Sequence, residues 1–151
     1  MSDDLIIVVP ADPNFVPAAD AVDRVVGALR RIAPGAESIT AEAGAGVQFF
    51  DCGENFESVS CPECSASINL DWWHDRMGED WGEGGFRLGH VHVPCCGARL
   101  TLNDLVYYWP QAFGRFRWQV RNPNSGALGP DAEAEIERAA AVPIRIVRQH
   151  I

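Results

Sequence analysis

Leu5-Ile6-Ile7-Val8-Val9, followed by Pro10, is a continuous run of large aliphatic side chains near the start of the chain. Most of these residues are β-branched, and branched side chains pack well on a pleated strand. A short apolar run that ends at a proline predicts a strand whose two faces are both apolar. We therefore expect a buried strand at this point.

A helix is predicted after this strand, because apolar residues recur with helical spacing and Pro34-Gly35 then stops the pattern. The apolar face consists of Val22, Val25, Val26, Leu29 and Ile32. Extended stretches are predicted at residues 38–43 and 47–52, with Gly44 and Gly46 between them. The first 52 residues therefore predict a β–α–β unit.

A second unit of the same kind is predicted at the other end of the chain. Residues 114–121 alternate between apolar side chains and arginines, as a half-buried strand does. Residues 131–141 are rich in strong helix formers, and residues 142–147 read as a last strand. The apolar face of the alternating strand carries Phe116, Trp118 and Val120.

Two β–α–β units predict an α+β fold, specifically a ferredoxin-like sandwich with two helices on one face of a four-stranded antiparallel sheet. The chain has 151 residues, the size of one domain. We expect residues 53–110 to be a metal-binding insertion between the halves 1–52 and 111–151. A doubly wound parallel sheet is less well supported, because only two clear helices flank the strands.

Four of the five cysteines lie in two pairs, Cys61-Pro-Glu-Cys64 and Cys95-Cys96-Gly97. A Cys-x-x-Cys turn directs two sulfurs to one side of an ion, and the second pair supplies the other two. In a reducing compartment, paired cysteines favour metal binding over disulfides. The spacing predicts a structural zinc site whose ligands are Cys61, Cys64, Cys95 and Cys96.

These two pairs resemble the knuckles of zinc ribbons. The first pair matches the ribbon pattern, whereas the second has adjacent cysteines before Gly97 in place of a second Cys-x-x-Cys. The resemblance implies a small β-rich module stapled by a metal. Adjacent cysteines reach one ion only if the backbone turns sharply, which Gly97 permits. If only one of them binds, His92 is the substitute fourth ligand, with His90 a further candidate.

We find no repeat in residue identity along the chain.

Two other interpretations of the cysteines stay open. They can be buried free thiols, since Cys is among the most buried residue types. They can also form a thiol–disulfide redox pair with Cys61 as the nucleophile. A redox Cys-x-x-Cys normally opens a helix, but residues 65–70 read as extended, which disfavours that reading. Cys52 lies beside Phe49-Phe50 and is predicted to be a core residue.

The net charge of the chain limits the class of molecule that it is expected to bind. The formal net charge is −9, and all 12 basic residues are arginine. Nucleic-acid binding depends on cations that neutralise phosphates, so this balance disfavours it. Arg115, Arg117 and Arg121 alternate along one predicted strand, and we interpret them as a solvated face. A nucleic-acid module using that face is a third hypothesis.

The sequence also bears on location. No apolar run approaches the roughly 20 residues that a membrane-spanning helix needs. The run at residues 5–9 follows two aspartates and so lacks the basic start of a signal peptide. We expect a cytoplasmic protein without a membrane span.

Two further groups have a functional and a structural interpretation. Asp71-Trp72-Trp73-His74-Asp75 places a histidine among carboxylates, as a general base or metal ligand requires. We favour an amphipathic turn whose tryptophans cover the metal module.

An aromatic cluster near Pro110 is either an interface hot spot or, as we favour, a core that joins the insertion to the sheet. Its members are Tyr107, Tyr108, Trp109 and Phe113.

The sequence therefore predicts a non-enzymatic, zinc-stabilised protein that binds another protein. The alternative is a zinc-dependent hydrolase with an open metal position near His74 or His92. In that case water completes the metal coordination, and His74, Asp71 or Asp75 acts as the base.

Overall fold

The apolar run at the start of the chain forms an inner strand of a four-stranded sheet. The computed structural model describes residues 2–124 and 128–151. Within these residues it shows three α-helices and a mainly antiparallel sheet, which confirms the predicted mixture of helices and strands. In chain order the elements are β1 (Asp4–Pro10), α1 (Ala19–Ile32), β2 (Ser38–Phe50), β3 (Ser58–Ser60), α2 (Leu70–Asp80), β4 (Trp81–Gly82), β5 (Gly85–Phe86), β6 (Val91–His92), β7 (Arg99–Leu100), a one-turn 3-10 helix (Leu102–Asp104), β8 (Val106–Tyr108), β9 (Ala112–Arg121), α3 (Pro130–Ala140) and β10 (Ile144–His150).

The large sheet has the strand order β10-β1-β9-β2, and each neighbouring pair is antiparallel. β1 is thus an inner strand, in which Ile7 lies opposite Val147 of β10 and Gln119 of β9. Three two-stranded ladders lie between β2 and β9 along the chain: β3 with β8, β4 with β5, and β6 with β7. The segment that carries the cysteines is therefore built from short strands and α2.

Helices α1 and α3 cover one face of the large sheet. Val25 and Leu29 of α1 and Ile136 of α3 pack in one cluster with Trp118 of β9. The other members of the predicted helical face, Val22, Val26 and Ile32, are partly buried against this cluster, so the predicted face is confirmed. Burying a Val, Leu or Ile side chain contributes roughly 1.5–3 kcal/mol. No helix in the described residues has both the length and the apolar character that crossing a membrane requires.

The opposite face of β1 is covered by residues that follow β2. Side chains of β1 on this face pack with Cys52, and Phe56 lies against the same cluster. The members of this cluster are Leu5, Ile7, Val9, Phe50, Cys52, Ala112 and Val147. Both faces of β1 are therefore buried, as its aliphatic run predicts, and Cys52 is the predicted core residue.

β2 is a single strand where the sequence predicts two stretches. Gly44 and Gly46 do not end it, and instead the register with β9 shifts between Ala43 and Gln48. The β4–β5 turn packs closely against β2 at this irregularity. The backbones of Gly46 and Gly84 are so near that a Cβ added at Gly46 would collide with the Gly84 carbonyl. Gly46 therefore allows the turn to pack against the sheet.

Two elements are shorter than their sequences indicate. Residues 88–93 alternate in the manner of a strand, but only Val91–His92 form one, and the N–H groups of Leu88 and Gly89 donate to the Asp80 carboxylate. Thr101 and Asp104 are typical of a helix start, and they form a capping box, but the helix lasts one turn. It ends there because the residues that follow are strand formers that pair with β3.

Replacing Gly46 with alanine tests the packing of the β4–β5 turn against β2. We expect Gly46→Ala to lower the free energy of unfolding by about 1–3 kcal/mol, because the added methyl group overpacks the contact with Gly84. Urea unfolding followed by circular dichroism measures this.

The matched control is Gly78→Ala in α2, where an added Cβ meets nothing within 4 Å. Alanine is the better helix former, so this variant should be as stable as the parent or up to about 1 kcal/mol more stable. Equal stability of the two variants would contradict the packing described for Gly46.

Candidate metal centre

The four paired cysteines meet at one point. The sulfurs of Cys61, Cys64, Cys95 and Cys96 all lie within 4.8 Å of one another. The Cys61 and Cys96 sulfurs are 3.8 Å apart, far beyond a disulfide bond, and all five cysteines are free. Of the four, only Cys61 is buried. The fold thus brings together the four cysteines that the sequence predicts as a group.

The first pair lies in a tight turn after β3. The N–H of Cys61 donates to the Ala66 carbonyl at 2.9 Å, and the N–H of Ser65 donates back to the Cys61 carbonyl at 2.9 Å. Ser65 has φ 64°, a left-handed conformation that turns the chain directly after Cys64. Pro62 suits this turn, because its fixed φ stiffens the backbone and no N–H is lost from these two bonds.

The second pair lies in a turn with the same hydrogen bonds, between β6 and β7. The N–H of Val93 donates to the Ala98 carbonyl at 3.0 Å, and the N–H of Gly97 donates to the Val93 carbonyl at 2.9 Å. Gly97 has φ 74°, which glycine adopts without strain. The sharp turn predicted after the adjacent cysteines is therefore present.

The matching hydrogen bonds align the two turns residue by residue. Cys64 corresponds to Cys96, and Cys61 corresponds to Val93, a buried residue that cannot bind a metal. Cys95, at the position of Glu63, supplies the fourth sulfur. The expectation of no repeat in residue identity is therefore wrong. The sequences Pro62-Glu-Cys-Ser-Ala66 and Pro94-Cys-Cys-Gly-Ala98 share Pro-x-Cys-x-Ala, a signal that was readable in the chain.

The sulfurs influence one another's protonation. Hydrogen bonds from the backbone N–H groups of Cys64 and Glu63 hold the pKa of Cys61 at about 7, against the opposing effect of burial. Partial burial and the neighbouring Cys64 and Cys61 sulfurs raise the pKa of Cys95. For Cys96, a hydrogen bond from the Ala98 N–H lowers the pKa, but burial and the same two sulfurs outweigh it. A bound cation would favour the thiolate form of all four residues.

The donor set fits a tetrahedral soft-metal site. Four sulfurs at about 2.3 Å from a zinc ion lie about 3.8 Å from one another, which is the separation of the Cys61 and Cys96 sulfurs. Each turn also aims free backbone N–H groups at the sulfurs, and such hydrogen bonds stabilise metal-bound thiolates. The residues can hold one metal ion, with all four positions taken by cysteine.

The predicted histidines lie outside this group. His92 is exposed in β6, one residue before Val93, and His90 is exposed directly before β6. His74 lies on α2 beside Trp73, with the ring centroids 5.0 Å apart, and Asp71 and Asp75 are exposed. The four-cysteine cluster is the only group of three or more candidate ligands among the described residues.

A buried aromatic core supports the two turns. The Trp73 indole N–H donates to the Tyr107 hydroxyl at 3.2 Å, and that hydroxyl donates to the Leu102 carbonyl at 2.6 Å. Burial raises the pKa of Tyr107, so the hydroxyl keeps its proton. Phe49 of β2 packs edge-on against Trp73, with centroids 6.1 Å apart. Cys61 belongs to the same cluster, so this core positions the four-sulfur group relative to the sheet.

The predicted aromatic cluster divides between core and surface. Tyr107 and Phe113 are buried, which confirms the core interpretation for these two. Tyr108 and Trp109 are exposed, so the core interpretation is wrong for them. Alternation along β8 explains the difference, because Tyr107 faces inward and Tyr108 outward.

Two of the three arginines of β9, Arg117 and Arg121, form ion pairs within the chain. Arg117 contacts Glu42 at 3.1 Å and lies over the Phe50 ring, and Arg121 pairs with Asp3 and Glu37. Their charges are thus balanced by carboxylates of the same molecule.

No protein-family model, curated protein or solved structure matches this chain.

Removing the Tyr107 hydroxyl tests the core beneath the metal centre. We expect Tyr107→Phe to lower the free energy of unfolding by about 1–3 kcal/mol, because the buried Trp73 N–H and Leu102 carbonyl lose their partner. Tyr108→Phe is the matched control, since its side chain is 60% exposed and should change stability little. Urea unfolding of both variants makes the comparison. Equal effects would contradict the hydrogen bonds described.

Proposed function

We propose that this protein is a small zinc-binding protein in which the metal is structural, and that its role is to bind another protein. The four-sulfur group is the observation that carries the metal assignment. A closed set of four cysteines leaves no coordination position for water or substrate, as in structural zinc sites. A four-cysteine metal site suits a reducing, cytoplasmic location, where thiols are kept from forming disulfides.

We also propose that the zinc holds a ribbon-like insertion, residues 53–110, in a ferredoxin-like α+β domain. The strand order β10-β1-β9-β2 supports this, because the third long strand lies between the first two and the fourth lies beside the first. The contact between α1 and α3 on one face supports it as well. The insertion's ladders β4–β5 and β6–β7 have two residues per strand, and isolated hairpins are marginal in water. A metal supplies the missing stabilisation.

The alternative function, a zinc-dependent hydrolase, needs an open metal position beside His74 or His92. Both histidines lie outside the four-sulfur group, so the described residues favour the structural role. Protein binding is favoured over nucleic-acid binding by the net charge of −9.

Metal analysis tests the zinc centre. We expect purified protein to hold about one zinc per chain, and its cobalt form to give a four-thiolate absorption spectrum. Cys64→Ser and Cys96→Ser should each lower the zinc content and the melting temperature, because each removes one of two equivalent ligands.

Cys52→Ser is the matched control. Cys52 is buried against Gln111 and lies outside the four-sulfur group, so its loss should leave the zinc content of the folded protein unchanged. Full zinc content in Cys64→Ser and Cys96→Ser would overturn the centre. A cobalt spectrum that indicates mixed ligands and shifts with pH would favour the hydrolase.

A further inference from the structure

Large apolar side chains are exposed along β8 and just after it. Val106 and Tyr108 point to the same side of β8, because side chains alternate along a strand. They are 48% and 60% exposed, and the adjoining Trp109 is 38% exposed. Tyr and Trp are enriched where proteins bind one another. We call Val106, Tyr108 and Trp109 the exposed strip.

A groove of about 600 Å³ adjoins the exposed strip, and Trp109 forms part of its wall. Leu5 of β1 contributes apolar surface, and Asn55, Gln149 and His150 contribute polar groups. Ligand pockets commonly measure about 300–1,000 Å³, so this groove has room for one or two amino-acid side chains. Trp109, which follows Tyr108 directly in the chain, belongs to both the exposed strip and the wall of the groove.

Three exposed acidic residues, Asp4, Glu54 and Glu57, lie beside the strip or the groove. Glu57 adjoins the strip, because its N–H donates to the Tyr108 carbonyl at 2.7 Å. The Asp4 carboxylate lies 2.7 Å from Nδ1 of His150, and the Glu54 carboxylate lies 3.6 Å from Nε2 of the same ring. His150 thus faces two carboxylates, while the side chain of Glu57 is exposed.

The arginine that lines the groove is paired with a carboxylate of the same chain. Arg148 lines the groove, but its guanidinium contacts the Glu133 carboxylate at 2.6 Å and also donates to the Leu128 carbonyl. The local balance is therefore negative, in the same sense as the net charge of −9.

We propose that the exposed strip and the adjoining groove bind a basic peptide segment of a partner protein. This rests on the proposed protein-binding function and states the chemistry of the partner. An Arg or Lys over the ring of Tyr108 or Trp109 gains cation–π attraction, and the surrounding carboxylates complement its charge. A second copy of the chain carries the same negative charge, and a nucleic acid carries phosphates, so this surface repels both.

Titration of the zinc-loaded full chain with a short peptide in which Arg and Val alternate tests the proposal. The reference peptide has Glu in place of each Arg. We expect saturable binding of the Arg peptide in calorimetry, with amide NMR shifts centred on Val106 to Trp109. Binding should weaken as salt is added, because exposed charges are screened. The Glu peptide should not bind.

Two pairs of variants locate the binding. Trp109→Ala should weaken the affinity about tenfold or more, as loss of an aromatic hot spot does, whereas Trp81→Ala, at a tryptophan 48% exposed on β4, should leave it unchanged. Glu57→Gln should weaken it several-fold and Glu83→Gln should not. Glu57→Gln changes only an exposed carboxylate, so it keeps the test decisive if Trp109→Ala fails to fold.

The outcomes separate this proposal from the zinc centre. Absence of peptide binding by protein that holds its zinc would overturn the docking surface and leave the centre intact. Peptide binding by protein that takes up no zinc would overturn the zinc centre and support the docking surface. Affinity that is insensitive to both Trp109→Ala and Glu57→Gln would also overturn the surface. Sedimentation that shows a dimer abolished by Trp109→Ala would assign the surface to a second copy instead.

Discussion

The burial of β1 on both faces is the constraint on which the rest of the structure depends. Its even-numbered side chains, Ile6 and Val8, pack under α1 and α3, and its odd-numbered side chains pack on the other face. Helices cover only one of these faces. The chain must therefore fold back over the other face directly after β2, and it does so with Cys52 and Phe56. Water would otherwise contact the apolar face of a central strand, at a cost of about 25 cal/mol per Å².

Phe56 connects this cover to the cysteine-bearing segment. It lies against the cluster of β1 and also stacks on Trp73, with ring centroids 5.6 Å apart. Trp73 in turn shares a core with Cys61. The sheet and the sulfur group are thus joined by contiguous packing, although the ladders between them are two or three residues long. Such short ladders depend on the core beneath them and, in our proposal, on a metal at their ends.

The residues of the candidate site could be read from the sequence, but their roles within it could not. The spacing of the cysteines predicts which four residues meet, because a Cys-x-x-Cys turn directs two sulfurs to one side and the second pair can supply the other two. It left open whether Cys96 or His92 completes the set. In the structure the sulfur of Cys96 lies with the other three, at the position that Cys64 has in the first turn, and His92 lies outside this group. The shared Pro-x-Cys-x-Ala pattern already aligns Cys96 with Cys64 in the sequence. This alignment is easily missed, because the second turn has a valine at position 93, which corresponds to Cys61, and has its other cysteine at position 95.

The sequence by itself determined local features, since these depend on side chains close together in the chain. They include the doubly apolar β1, the amphipathic α1, the alternation of β9 and the two cysteine turns. The tertiary structure alone decided what depends on distant partners. Gly44 and Gly46 read as strand breaks, yet pairing with β9 and contact with the β4–β5 turn keep β2 continuous. Tyr107 and Tyr108 are adjacent residues of the same type, and only the pairing of β8 with β3 decides which one is buried in the core and which one is exposed.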